Sequence, residues 1–308
     1  METPEGTRLF RNELAMAQRK EEIFKKLETI RDLPTLPVIL DKLRAAVHDT
    51  KSDAQRIARI IEDDPSMMAK ILRVVNSALF AGTERINDLQ LAVARMGTST
   101  INNIALSTSV FSAFGPSDEK DFDRMEFWRH SISTGIAVNV LYERYNGNLK
   151  KRYPKDVLHL AGLLHDIGKI IFEQYFHQDF IAAIRASAES FIPLFQVELD
   201  TIGADHAQAG AWLGQKWHLA EELIEVIRWH HEPDNADERN KELVMLCHAG
   251  NYVCNLVRIG NSGDAVAPAF FRGVWKRLGV DIEDLSGIMD QIKEESKNSE
   301  LLLALVKS

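Results

Sequence analysis

Apolar residues recur at the spacing of an α-helix along most of this chain, and that pattern constrains its fold more than any other feature. Intervals of three and four residues place apolar side chains on one helical face. In the region of residues 57 to 75 these positions are Ile57, Ile60, Ile61, Met68, Ile71, Leu72 and Val75. No stretch of the sequence keeps up the strict alternation that is typical of a half-buried strand. The sequence therefore predicts an all-α fold.

Composition narrows the class of protein and its compartment. The 308 residues include 45% hydrophobic and 27% charged residues, which is ordinary for a globular protein with a large core. No apolar run approaches the roughly 20 residues that a membrane span needs, and Met1–Glu5 lacks the basic start of a signal peptide. We expect a cytoplasmic protein with no membrane partner. A formal net charge of -8 disfavours nonspecific binding to nucleic acid.

Turn-forming residues divide the chain into four expected segments. Leu33-Pro34 and Leu36-Pro37 should end an amphipathic helix that occupies residues 1–31. A helical lobe is expected over 32–114, where Asp64 can cap a helix that has Pro65 in its first turn. The polar stretch Gly115–Lys120 should connect it to a second helical lobe over 121–257. A helical tail is expected over 264–308.

Histidine and aspartate residues of the second lobe are the candidates for chemistry. They are His130, His165, Asp166, His206, His230 and His231. Most stand where a predicted helix begins or ends, so converging helix ends would gather their side chains. A single histidine more often only satisfies a hydrogen bond. Together, imidazole nitrogens and a carboxylate are donors suited to zinc, iron or manganese, and the set predicts a metal pocket.

The order of these motifs resembles the HD superfamily, in particular its HD-GYP branch, which hydrolyses cyclic di-GMP. The matching residues are His130, His165–Lys169, Asp205-His206 with Gly210, and His230–Pro233. The first lobe is closer to the HDOD family. Its matching segments are Leu33–Pro37, Asp64-Pro65, Val75–Phe80 and Ala92–Gly97. The resemblance thus covers about residues 30 to 257.

The resemblance implies an HD-superfamily helical bundle with an additional N-terminal lobe, used as a bacterial signal-transduction output module. Carried over residue by residue, Asp166 would bridge two divalent ions (Fe, Mn or Zn). His130 and His165 would bind one ion, and His206, His230 and His231 the other. Lys169 would orient a phosphate or an attacking water beside Asp166, which makes these two residues the candidate catalytic pair. Expected partners are a signalling protein or a small phosphorylated ligand.

Two departures from the catalytic branch argue against simple transfer of its activity. Its last metal ligand is an aspartate, whereas the matching position here is Asn251, whose neutral amide binds hard cations less strongly. The Gly-Tyr-Pro signature is missing, because His231-Glu232-Pro233 continues directly into Asp234. The sequence therefore does not predict specificity for cyclic di-GMP.

Three functions remain open at this point. The first is a signalling module that binds a partner or ligand and holds metal as a structural or sensing element. The second is a metal-dependent phosphohydrolase of nucleotides or cyclic nucleotides. The third is DNA binding by a helix-turn-helix over residues 92–103, which is disfavoured because Thr98, Ser99, Asn102 and Asn103 bring no cation to the phosphates. The sequence gives no indication of an oligomeric state.

Overall fold

The computed structural model describes residues 18–34, 42, 54–76, 86–115, 121–297 and 303. Within these residues the regular elements are helices and none is a strand, so the predicted all-α fold is confirmed. We number the first helix, over residues 18–29, as α1. The others are α2 (Ala54–Glu62), α3 (Pro65–Val75), α4 (Leu89–Met96), α5 (Thr98–Phe114), α6 (Arg124–Tyr145), α7 (Lys155–Leu164), α8 (Ile167–Tyr175), α9 (His177–Ser190), α10 (Leu194–Thr201), α11 (His206–Lys216), α12 (Glu221–Trp229), α13 (Lys241–Leu256), α14 (Arg272–Leu278) and α15 (Leu285–Ser296). Short 3-10 turns occupy Asn146–Asn148, Pro233–Asn235 and Ile282–Asp284.

Helices α2 to α5 pack against one another at the N-terminal side of the molecule. The predicted cap of α3 is confirmed, since Asp64 accepts a hydrogen bond of 3.0 Å from the backbone N–H of Met67. Pro65 is the first residue of the helix, where its missing N–H costs nothing. Gly97, at φ +82°, makes the sharp turn from α4 into α5.

We expect Asp64→Ala to lower the free energy of unfolding by about 1 kcal/mol, because it removes the N-cap of α3. Urea denaturation followed by circular dichroism would measure the change. Asp63→Ala is the matched control, since Asp63 is exposed, carries the same charge and does not cap the helix. An equal loss in both variants would contradict the capping role.

Helix α5 joins this region to the second one through aromatic contacts. The ring of Phe111 lies 4.7 Å from that of Trp128 on α6, and Phe114 lies 5.7 Å from Trp217. Helix α1 also packs on the second region, since the ring of Phe24 lies 6.5 Å from that of Trp212. After the helix, the carbonyl of Pro34 accepts a hydrogen bond of 2.6 Å from Trp217 Nε1. The two regions therefore share an apolar contact. All but the first residue of the predicted connector, residues 116–120, lie outside the described residues.

The second region is built on the packing of α6, α7 and α13, and glycines allow its helices to approach closely. A β-carbon at Gly162 of α7 would lie 2.2 Å from the backbone nitrogen of Gly135 on α6. A β-carbon at Gly168 of α8 would lie 1.9 Å from the carbonyl oxygen of His206 on α11. Only glycine fits at these two crossings, which set the distances between the helices that carry the histidines.

Two further helices follow α13. Helix α14 packs on α13, and α15 packs on α6. Of the predicted tail, residues 298–302 and 304–308 lie outside the part of the chain that the structure describes, as do residues 1–17 of the predicted first helix. No helix in the described ranges combines the length and apolar character needed to cross a bilayer.

Candidate metal centre

The six histidine and aspartate residues singled out in the sequence lie together in one buried pocket. Helix α6 supplies His130, and the junction of α7 and α8 supplies His165 and Asp166. His206 is the first residue of α11, and His230 and His231 directly follow α12. The helix-end positions predicted from the sequence are thus the ones observed. All six side chains are at least 90% shielded from solvent, and His231 is the most exposed of them at 8%.

Asp166 stands at the centre of two groups of donor atoms. Its Oδ1 lies 3.2 Å from His206 Nε2 and 3.4 Å from His230 Nε2. Its Oδ2 lies 3.3 Å from His165 Nε2. One group consists of His130, His165 and Asp166, and the other of Asp166, His206, His230 and His231, with the ligand atoms of each group within 4.8 Å of one another. The carboxylate shared by both groups is in the position that a bridging ligand requires.

Three histidines are oriented by acceptors on their outer nitrogen. His165 Nδ1 faces the carbonyl of Gly162 at 2.7 Å, and His230 Nδ1 faces that of Ile227 at 2.9 Å. His206 Nδ1 faces the carboxylate of Glu198 at 2.6 Å. A nitrogen that faces an oxygen acceptor must carry the proton, so in the neutral ring Nε2 keeps its lone pair. All three Nε2 atoms point toward Asp166, where a metal would use them.

Electrostatics favour neutral imidazoles around an ionised carboxylate. Burial lowers the pKa of His130 and of His230 to about 4 each. Burial opposes ionisation of Asp166, but the adjacent His165 ring and the Lys169 ammonium outweigh it and hold the pKa of Asp166 well below its usual value. The pocket therefore keeps nitrogen lone pairs and one fixed negative charge at neutral pH.

His206 is the exception, because burial would lower its pKa but Glu198 and Asp166 raise that pKa to about 10. Burial keeps the pKa of neighbouring His231 well below the usual histidine value. The two Nε2 atoms lie 2.8 Å apart, a distance that requires one proton between them. A cationic His206 that donates to neutral His231 satisfies this geometry. The proton between these two nitrogens lies at the position where the second group of donors would bind a metal ion.

Unsatisfied buried atoms test whether the pocket fits a metal. Three atoms that face the pocket have no hydrogen-bond partner among the described residues: His165 Nε2, His230 Nε2 and Asp166 Oδ1. Buried polar atoms are normally paired, and a bound ion is one standard explanation when they are not paired within the protein. Imidazole nitrogen and carboxylate oxygen are ligands for zinc, iron and manganese. The donor set therefore fits a divalent ion at each group.

Asn251, the substitute for the expected aspartate, borders the first group. It is buried on α13, and its Oδ1 lies 3.1 Å from His130 Nε2. Its Nδ2 has no hydrogen-bond partner within the described part of the chain. The oxygen also accepts from Asn255 Nδ2 at 2.5 Å. The amide thus reaches the place of a ligand but brings no negative charge to it.

Lys169 is fully buried and its ammonium group is enclosed by acceptors. Its Nζ donates to Asp166 Oδ2 at 2.8 Å, to Asp264 Oδ2 at 2.5 Å and to Ser262 Oγ at 3.3 Å. Ser262 in turn donates to Asp264 at 2.7 Å. Burial would lower the pKa of Lys169, but Asp166 and Asp264 raise it above the usual lysine value. In this state the cation balances two carboxylates and leaves no donor directed at a bound phosphate.

Sequence reasoning missed four residues that contact this centre. Glu198 and Phe195 on α10 contact His206 and His231, while Ser262 and Asp264 contact Lys169. The only sequence signal near Ser262 and Asp264 is the turn Gly260–Gly263, and Glu198 stands in an ordinary helical pattern. Neither signal indicates a functional role.

The helix proposed to read DNA bases is largely inside the protein. Asn102 is 1% exposed, and α5 packs against α7. A reading helix must present its side chains to the major groove, and a buried asparagine cannot do so. This placement removes one of the four residues on which that hypothesis depended.

Comparisons with known proteins agree with this architecture. The HDOD domain matches residues 33–233. An uncharacterized protein of Treponema pallidum (strain Nichols) is 30% identical over 223 residues, which is 70% of this chain and 41% of that protein. This chain therefore spans about two fifths of the length of that relative.

Solved structures show the same fold. A candidate signal transduction protein from Marinobacter aquaeolei VT8 has a TM-score of 0.80 at 20% identity, covering 96% of this chain and 67% of the other. An HDOD domain protein of unknown function from Geobacter sulfurreducens has a TM-score of 0.74 at 22% identity, covering 94% and 97%. A candidate phosphohydrolase from Shewanella amazonensis SB2B has a TM-score of 0.66 at 20% identity, covering 92% and 97%. With its helical fold, its ordered histidine motifs and a domain match over residues 33–233, this chain belongs to the HDOD family.

Proposed function

We propose that this chain is a signal-transduction output module that holds divalent metal in the pocket around Asp166 and recognises a signalling protein or a small phosphorylated ligand. The metal would act as a structural or sensing element. The observation that carries the proposal is the convergence of five imidazoles and one carboxylate with unsatisfied, buried donor atoms. Such atoms destabilise a fold unless a ligand satisfies them.

The residues divide between two metal positions that share Asp166. His130, His165 and Asn251 would hold one ion, and His206, His230 and His231 the other. A bound divalent ion would supply the positive charge that satisfies these donors. Because the donors come from α6, the α7–α8 junction, α11, α12 and α13, the ligands would tie five parts of the second region together.

Phosphohydrolase activity is the second candidate, and the nearly complete set of ligands favours it. In that case the metal would supply Lewis acidity toward a phosphate. Lys169 could orient a phosphate only after giving up Asp264, which now lies 2.5 Å from its ammonium nitrogen. The enclosed lysine and the neutral Asn251 both support the module as the leading function.

Elemental analysis tests the proposal, using protein purified without a metal-affinity column. We expect stoichiometric zinc, iron or manganese, and no turnover of bis-(p-nitrophenyl) phosphate by the same sample. Protein that is folded but free of metal, and that takes up none on dialysis against these ions, would refute the metal role. Rapid turnover would establish the phosphohydrolase instead.

We expect Asn251→Asp to strengthen metal retention by about 10- to 100-fold, the range produced by changes in the immediate surroundings of a metal. The reason is that a carboxylate would replace a neutral amide 3.1 Å from His130 Nε2. Competition with a chelator of known affinity would measure the change. Asn261→Asp is the matched control, because Asn261 is exposed and its side chain accepts a hydrogen bond from the backbone N–H of Gly263, outside both groups of donors. Equal strengthening in both variants would indicate a general charge effect.

A further inference from the structure

Helix α10 supplies two side chains that contact ligands of the second group from behind. We infer that Glu198 and Phe195 are positioning residues for His206 and His231, and that Glu198 makes the second metal position the tighter of the two. The inference rests on the proposed metal role of the pocket. It concerns residues that belong to none of the motifs found in the sequence.

Glu198 fixes His206 at two points. Its Oε2 accepts from the backbone N–H of His206 at 2.8 Å and from the ring nitrogen Nδ1 at 2.6 Å. The carboxylate is fully buried, so solvent does not weaken these bonds. They hold both the first residue of α11 and its imidazole, with Nε2 directed at Asp166. A carboxylate on the outer nitrogen also makes an imidazole a stronger metal ligand than a carbonyl does.

Phe195 covers His231, the most exposed of the six residues of the pocket. Its ring stacks on that of His231, with centroids 4.4 Å apart and an angle of 11° between the planes. Because Phe195 and Glu198 are three residues apart on α10, they share one face of that helix. One short helix therefore both orients His206 and shields His231.

The first position lacks an equivalent support. His165 Nδ1 has only the neutral carbonyl of Gly162 as its partner, and His130 faces the neutral amide of Asn251. Among the described residues, Asp166 is the only carboxylate in that group. The second position adds a third imidazole and the outer charge of Glu198. Unequal affinities follow from this difference in charge and in number of imidazole ligands.

Titration of metal-free protein with Co²⁺ tests the inference, because its visible absorption reports the ligands of the ion. Wild type should bind in two steps of different affinity. Glu198→Gln, which keeps the side-chain volume, should weaken the tighter step by about 10- to 100-fold and change its spectrum. Phe195→Leu should leave the affinity nearly unchanged but speed release of the ion to a chelator. Asp200→Asn is the control, since it removes the same charge from an exposed position on α10.

The outcomes separate this inference from the proposed function. If wild type binds no Co²⁺ in either step, the metal role itself fails. If wild type binds in two steps and Glu198→Gln leaves both the tighter affinity and its spectrum unchanged, only the positioning role is overturned. Equal weakening by Glu198→Gln and Asp200→Asn would also overturn it. Circular dichroism of each metal-free variant shows whether its helices are intact. If Glu198→Gln does not fold, the rate at which Phe195→Leu releases the ion decides whether the inference stands.

Discussion

Replacing Asp166 with alanine is expected to empty both metal positions at once. Asp166 is the only residue present in both groups of donors, and its Oδ1 and Oδ2 face different histidines. Without it, clustered neutral imidazoles lose the negative charge that offsets the desolvation of a buried cation. Changes to outer partners alone weaken metal binding by about 10- to 100-fold, so the loss of a shared ligand should exceed about 100-fold. Metal content after dialysis, measured by elemental analysis, gives the result.

The variant Asp264→Asn distinguishes the loss of a metal ligand from the loss of an acceptor for the Lys169 ammonium group. Asp264 pairs with the same ammonium group but belongs to neither group of donors. We expect this variant to keep its metal. Asp166→Asn, which preserves the volume of the side chain, should lose metal as the alanine variant does. Equal metal content in wild type, Asp166→Ala and Asp264→Asn would show that the pocket is not a metal site.

Replacing Lys169 with methionine is expected to lower the free energy of unfolding of the metal-free protein by about 3–5 kcal/mol, the cost of removing one partner from a buried ion pair. The variant leaves Asp166 and Asp264 buried without the cation that lies 2.8 Å and 2.5 Å from them. Urea denaturation at pH 7 in the presence of a chelator would measure it. Lys155→Met is the control, because Lys155 forms an exposed pair with Glu143 and should change stability little.

A second substitution and the pH dependence test why Lys169→Met lowers the free energy of unfolding. Lys169→Met combined with Asp264→Asn should recover part of the stability, since one buried charge is removed. In wild type the pKa of Asp166 is lowered, so its contribution is present above the usual aspartate pKa and is lost as pH falls through the lowered value. In Lys169→Met the pKa of Asp166 should rise. The loss in free energy of unfolding relative to wild type should then be largest at neutral pH and shrink as the pH falls toward 4. A deficit independent of pH would indicate lost packing instead.

Local features were readable from the sequence because they are encoded within one or two helical turns. The spacing of residues such as Ile57 and Ile61 specified helices, and Asp64-Pro65 specified the start of α3. The same reasoning placed His206 at the beginning of α11 and His230 at the end of α12. Family resemblance then grouped the histidines around Asp166, as the structure does.

Contacts between distant segments could not be read in this way. Asp264 lies 95 residues after Lys169, and no periodicity relates the two. Glu198 occupies an ordinary helical position, and only the packing of α10 brings its carboxylate to His206. The sequence placed Asn102 on a possible DNA-reading helix, but it is buried, because α5 packs against α7.

The sequence by itself determined which residues form helices and which of them carry metal-binding chemistry, because backbone propensity and side-chain type are properties of the chain. The tertiary structure decided whether each charge is available or already paired. Lys169 could serve a substrate only if its ammonium group were free, and the fold instead encloses it between two carboxylates. Pairing in a buried pocket depends on through-space distance and loss of solvent, and these exist only once the helices have packed.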